Sequence, residues 1–174
     1  MNVELGGVIP AVVTPMTKDG EVDYTAYERQ VSFLAESGVH GFFVNGTTGE
    51  GPYLTREEQR ECFQVAKSNR EKNQFLCLAA IAASTREVVE QVRELEKLEP
   101  DYFVIVPPFY YDFDWPNIER HYSTIASSTE RPIIIYNIPQ RTSNDVLAGN
   151  LRSLLQSGRF AGIKDSSGDF IRFF

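Results

Sequence analysis

Histidine and cysteine are scarce, with two of each in the 174 residues. The histidines, His40 and His121, are far apart in sequence, which argues against a His-built metal site. Cys62 and Cys77 are not in metal-ligand spacing. Cys62 falls in a helical pattern and Cys77 in an apolar strand, so both read as buried free thiols of a reducing compartment. Clustered lysine and arginine are also missing. With a net charge of −7 and a pI near 4.9, the chain lacks the basic surface that a nucleic acid would need. No apolar run approaches the ~20 residues that span a bilayer. The start, Met1-Asn2-Val3-Glu4-Leu5, has no basic region followed by an apolar one, so no secretory signal is visible and a cytoplasmic protein is expected. Low-complexity segments, linkers and short repeats are absent too.

What is present is a regular beat of apolar runs and amphipathic patterns. The chain length fits one domain, residues 1–174. Strands are expected over Gly7–Thr14, Val39–Val44, Phe75–Ala82, Tyr102–Val106, Pro132–Tyr136 and Phe160–Lys164. Helices fall between them. Asp23 reads as an N-cap, Thr55 and Ser84 open capping-box patterns, and Asp114-Trp115-Pro116 starts another helix. The Thr55 helix is expected to reach about Lys72. Leu147, Leu151 and Leu154 mark a helix stopped by Gly158, and Phe170 onward reads as the start of a sixth. Continuous apolar strands alternating with helices imply a parallel sheet covered by helices. The Gly-x-Gly-x-x-Gly turn of a dinucleotide-binding sheet is absent after the first strand. Polar signatures instead follow several different strands, which suits an α/β chain of the (β/α)8 barrel type. Six strands make that barrel incomplete.

Four segments carry chemistry. Gly46-Thr47-Thr48-Gly49-Glu50 follows the second strand, where its N–H groups and hydroxyls can hold a carboxylate or phosphate. Pro107-Pro108-Phe109-Tyr110-Tyr111 follows the fourth, and simple aromatic packing is the alternative reading for each tyrosine. In Tyr136-Asn137-Ile138-Pro139-Gln140-Arg141, strand alternation puts Tyr136 on the face of Ile134. Arg141 offers a planar fork for a carboxylate. The fourth is Lys164, delivered by Phe160-Ala161-Gly162-Ile163 and followed by Asp165-Ser166-Ser167-Gly168-Asp169. Alternation places Lys164 on one face with Phe160 and Gly162, and the glycine leaves space beside the amine. An ammonium is costly to bury, which is how a lysine is made nucleophilic. Taken alone, Lys164 reads as a surface lysine where a strand emerges.

The order and spacing of Gly-Thr-Thr-Gly-Glu, Tyr-Asn-Ile-Pro and Gly-Ile-Lys are together specific. Over essentially its whole length the chain resembles the dihydrodipicolinate synthase and N-acetylneuraminate lyase family of pyruvate-dependent class I aldolases. The resemblance implies that Lys164 condenses with the ketone of pyruvate and that Tyr136 moves protons. It implies that Thr48 and Tyr110 complete a hydroxyl relay, with the tyrosine acting across a subunit interface of a homo-oligomer. Thr47 and Thr48 would hold the pyruvate carboxylate. The protonated imine is the electron sink, so neither cofactor nor metal is implied. Arg141 lies where synthase members hold the carboxylate of aspartate semialdehyde. That favours the synthase of lysine biosynthesis slightly over a lyase of N-acetylneuraminate or a 2-keto-3-deoxy sugar acid. Family members run to roughly 300 residues, so the chain reads as a C-terminally truncated member. Phe170, Ile171, Phe173 and Phe174 would then have little to pack against, and an inactive fragment or interaction remnant is the reading of another class. A phosphosugar enzyme on a similar barrel is a third.

Overall fold

The computed structural model describes residues 5–173, and side chains through Ile171. Phe174 and the side chain of Phe173 therefore lie outside the described residues, as does Met1–Glu4. The chain divides into two compact units, Met1–Ala79 with Leu98–Asp101, and Ala80–Lys97 with Tyr102–Phe174.

In the first unit, β1 (Gly41–Val44) and β2 (Phe75–Ala80) pair in parallel, from Gly41 opposite Phe75 to Val44 opposite Leu78. Every residue of both strands is buried, as expected where each face of a parallel sheet is covered. Gly41 is needed because a Cβ there would lie 2.5 Å from the Phe75 carbonyl oxygen. The segment Gly7–Thr14 is not a strand. It runs beside β1 with a single parallel bridge, Ala11 to Phe43. His40 N donates to Val8 O at 2.9 Å, Phe43 N to Pro10 O at 2.9 Å, and Val12 N to Phe43 O at 3.0 Å. Pro10 has no N–H to give, so the ladder cannot continue through it.

Helix α1 (Tyr24–Glu36) begins where the Asp23 carboxylate accepts from Ala26 N at 2.9 Å. It buries Tyr27, Val31 and Ala35 and packs on α2 (Arg56–Asn69). Thr55 and Glu58 close the capping box of α2 in both directions. This helix stops short of Lys72. Arg70 turns to an extended conformation, and its guanidinium donates to Gln74 O at 3.0 Å and Asp101 Oδ2 at 2.5 Å. The same Asp101 oxygen accepts from Leu76 N at 2.8 Å. One carboxylate thus ends the helix and starts the next strand. Cys62 and Cys77 are buried free thiols, and burial pushes both up to about 12.

The second unit contains β3 (Tyr102–Ile105), β4 (Ile133–Asn137) and β5 (Phe160–Asp165), parallel in that order. Helix α3 (Thr85–Leu95) is capped by Ser84, and α4 (Trp115–Ala126) by Asp114. Two further helices are α5 (Pro139–Thr142), a single turn absent from the sequence expectation, and α6 (Ala148–Gln156). Val88, Val92, Leu95, Ile118, Tyr122 and Ile125 are almost fully buried between helices and strands. Of the three leucines expected to mark α6, only Leu154 is buried. The expected sixth helix is one 3-10 turn, Phe170–Phe173, with Phe170 and Ile171 exposed.

The pairing of β4 with β5 is irregular at one point. Ile133 faces Phe160, but Ile134 faces Gly162, so Ala161 is an extra residue. Such a bulge reverses the alternation of everything after it. Phe160 therefore does not share a face with Lys164. Its ring meets Tyr122 of α4 edge-on, with centroids 6.0 Å apart, while Gly162 and Lys164 fall opposite Ile134 and Tyr136.

His121 of α4 is 1% exposed. Its Nε2 is 3.1 Å from Val106 O and its Nδ1 is 2.9 Å from Thr85 Oγ1. Burial keeps the ring neutral; the carbonyl can only accept, so the proton is on Nε2 and the threonine hydroxyl donates to Nδ1. Burial lowers its pKa from 6.5 to about 4. The unfolded chain then takes up a proton between those values while the folded chain does not. Stability is full above pH ~6.5 and falls as pH drops toward ~4, by roughly 3 kcal/mol for a shift of this size. The expected result is a lower urea midpoint at pH 4 than at pH 7, with the difference reduced in His121→Gln. Equal differences in the two proteins would contradict it.

Candidate active site

The glycine-rich segment follows β1 in the first unit, and each glycine is dictated by a close approach. A Cβ on Gly46 would lie 2.5 Å from the Phe43 ring, on Gly49 2.6 Å from Val12 O, and on Gly51 1.8 Å from Asn45 O. Thr14 Oγ1 donates to Gly49 O at 2.7 Å. Asn45, in the left-handed region at φ 59°, donates through Nδ2 to Gln59 O at 2.9 Å. Gln59 Nε2 returns a bond to Gly51 O at 2.8 Å. The backbone is pinned from inside, and the side chains of Thr47 and Thr48 are left exposed on the outside of the turn.

In the second unit the ends of β4 and β5 bring two of the candidate residues together. Tyr136 and Lys164 are register partners. Lys164 Nζ lies 3.6 Å from the centroid of the Tyr136 ring, well within cation–π range. It also donates to Ser166 Oγ at 3.0 Å. Tyr136 is 3% exposed and Lys164 half-buried, and a Cβ added at Gly162 would meet nothing within 4 Å. The amine thus rests on the face of the phenol, with open space beside its strand.

The next pair is Asn137 and Asp165. Asn137 is fully buried. Its Nδ2 donates to Asp145 Oδ1 at 2.9 Å and Asp165 Oδ2 at 3.2 Å, and its Oδ1 accepts from Val146 N at 3.0 Å. Its backbone carbonyl accepts from Ser166 N at 2.8 Å. Asp165 Oδ1 in turn accepts from Ser167 N at 2.6 Å. One amide therefore fixes the turn that follows Lys164. Sequence reading gave no role to Asn137, Asp145 or Asp165, because the bonds that join them span loops of different strands.

Arg141 is exposed in the last turn of α5. Gln140 Nε2, beside it, donates to Ser167 O at 2.6 Å. Tyr110 is 82% exposed and sits at φ 86°. Its ring meets that of Tyr111 edge-on at 5.0 Å. A cleft of about 530 Å³ lies beside these tyrosines, with Phe113, Arg120, His121 and Thr85 in its walls; Lys164 does not line it. Among the described residues, no group of three or more His, Cys, Asp or Glu gathers into a metal-binding set. None of the described helices is long and apolar enough to cross a membrane.

A model of the Dihydrodipicolinate synthetase family matches residues 4–173. The chain belongs to that family. Among its relatives in the dihydrodipicolinate synthetase family, a 4-hydroxy-tetrahydrodipicolinate synthase of Dehalococcoides mccartyi is 37% identical over 165 residues. The alignment covers 95% of this chain and 56% of that relative. The crystal structure of dihydrodipicolinate synthase from Cyanidioschyzon merolae with lysine bound superposes with a TM-score of 0.90 at 34% identity, covering 97% of this chain and 58% of that one. CdNal from Clostridium difficile, in complex with mannosamine, superposes at 0.85 with 28% identity, covering 96% and 58%. The chain thus spans a little over half the length of these proteins. Its fold is α/β, the incomplete (β/α)8 type, with five parallel strands among the described residues where six were expected.

Proposed function

We propose that the whole protein is a single-domain, cytoplasmic, Schiff-base-forming enzyme that joins pyruvate to an aldehyde or cleaves such a product. In this reading Lys164 Nζ adds to the C2 ketone of pyruvate and water leaves to give an imine. Loss of a C3 proton gives the enamine, whose carbon attacks the aldehyde; the reverse path cleaves a carbon–carbon bond. Tyr136 carries the protons, with Thr48 and Tyr110 as relay and Tyr110 reaching a partner subunit. Thr47 and Thr48 hold the pyruvate carboxylate. No metal or organic cofactor is required, because the protonated imine is itself the electron sink.

The observation that carries the reading is the pairing of Tyr136 with Lys164, the amine 3.6 Å from the ring centroid. Ketone and ring cannot both hold the amine. Pyruvate must draw Lys164 off the ring face, and the phenol is then beside the nitrogen that has to lose and regain protons.

For the aldehyde we favour aspartate semialdehyde, and hence a step of lysine biosynthesis. Exposed Arg141 at the end of α5 supports a partner bearing a carboxylate, and the Dehalococcoides relative is named for that reaction. A sugar-acid lyase is the second reading, supported by the likeness to CdNal with its bound mannosamine. Assaying pyruvate with aspartate semialdehyde, N-acetylmannosamine and short sugar aldehydes separates the two. Arg141→Ala should raise KM for the semialdehyde by about tenfold or more, the worth of one charged hydrogen bond, while the pyruvate adduct still forms. Unchanged kinetics in that variant would remove the main support for the synthase.

A further inference from the structure

The segment that carries Tyr110 has little holding it from within. Tyr110 and Tyr111 are exposed, and Tyr110 sits at φ 86°, where a non-glycine residue is strained. The segment that carries Arg141 ends on a second such residue, Ser143 at φ 58°. Between them lies Asn144, 3% exposed. Its Oδ1 accepts from Phe113 N at 2.7 Å. Its Nδ2 is within bonding distance of three carbonyls, Pro108 O at 2.9 Å, Tyr111 O at 2.8 Å and Thr142 O at 2.9 Å. Thr142 Oγ1 closes the arrangement by donating to Asn144 O at 2.9 Å.

An amide has two hydrogens, so the three carbonyls share them. The partners on the tyrosine side bracket Tyr110, with Pro108 before it and Tyr111 and Phe113 after it. The partner on the other side, Thr142, follows Arg141 directly. We infer that Asn144 is a positioning residue that ties the backbone carrying Tyr110 to the turn carrying Arg141, so that the two side chains are presented in fixed relation. A threonine hydroxyl of similar size also accepts and donates, but it has one hydrogen to give where the amide has two. Aspartate keeps the acceptor but turns a carboxylate toward carbonyl oxygens. Alanine leaves those backbone groups unpaired in a buried place.

The tie stands on geometry alone. Its kinetic consequence rests on the role proposed for Tyr110, and the test separates the two. Limited chymotrypsin digestion of the full-length protein, diluted until it is monomeric by light scattering, reads the tie, because chymotrypsin cuts after exposed aromatics and Tyr110 and Tyr111 are exposed in the single chain. In Asn144→Ala and Asn144→Asp, cleavage after Tyr110 and Tyr111 should accelerate by about tenfold through local opening. Cleavage after the exposed Phe33 and Tyr53 of the first unit should not change. Turnover with pyruvate should fall by about tenfold in Asn144→Ala, and fall no further when Tyr110→Phe is already present. Unchanged cleavage after Tyr110 and Tyr111, or equal acceleration at all four positions, would overturn the tie. A full further loss in the Tyr110→Phe background would overturn its action through Tyr110. Wild-type protein that forms no pyruvate adduct would refute the enzymatic reading, and the digestion would still decide the tie.

Discussion

Replacing Lys164 by alanine is expected to abolish the pyruvate adduct and lower turnover by roughly 10⁴-fold or more, the scale of losing a covalent nucleophile. Without the amine there is no imine, and the pyruvate methyl carbon cannot be made nucleophilic. The fold should survive. Lys164 is half-buried near the end of β5 and fills no core position. Among its contacts, those with the Tyr136 ring and Ser166 Oγ are of the kind worth about 1 kcal/mol each. Urea unfolding of Lys164→Ala should therefore stay close to wild type. Residual turnover near the wild-type rate would move the chemistry to another lysine.

Tyr136→Phe is expected to lower turnover by about 10²-fold or more, the worth of one general acid–base group. The substitution separates the proposed proton transfer from the aromatic contact with the amine. Phenylalanine keeps the aromatic face on which Lys164 rests, 3.6 Å from the centroid in the native protein, and it keeps the buried volume of β4. Only the hydroxyl is lost. Tyr136→Leu removes the face as well. If proton transfer is the role, both variants are slow, and the pyruvate adduct forms slowly in both. If only the face mattered, phenylalanine would be as fast as tyrosine.

The local parts of this structure could be read from the sequence because their causes are local. Asp23, Thr55, Ser84 and Asp114 all cap helices, and a cap is decided by a side chain and the N–H two or three residues on. The buried runs of β1 to β3, and of β4 as far as Tyr136, follow from their apolar sequence. What escaped depended on partners. Gly7–Thr14 looked like a strand by composition, yet Pro10 has no N–H for a ladder. Alternation put Phe160 beside Lys164, but the extra residue Ala161 reverses it, and nothing in Phe160-Ala161-Gly162 announces a bulge. The candidate residues were legible by type, and the bonds that support them were not. Lys164 and Tyr136 stand out by type and position. Asn137 and Asn144 do not, since their bonds reach Asp165, Pro108 and Phe113 across loops that only the fold brings close.

If Lys164 is the amine that takes pyruvate, it must be the lysine that carries the adduct. The direct measurement is to treat the full-length protein with pyruvate and borohydride, digest it, and map the product by mass spectrometry. One reduced pyruvyl group on the peptide containing Gly162-Ile163-Lys164-Asp165, absent without pyruvate, is the result predicted. An adduct on another lysine, or none at all, would contradict it.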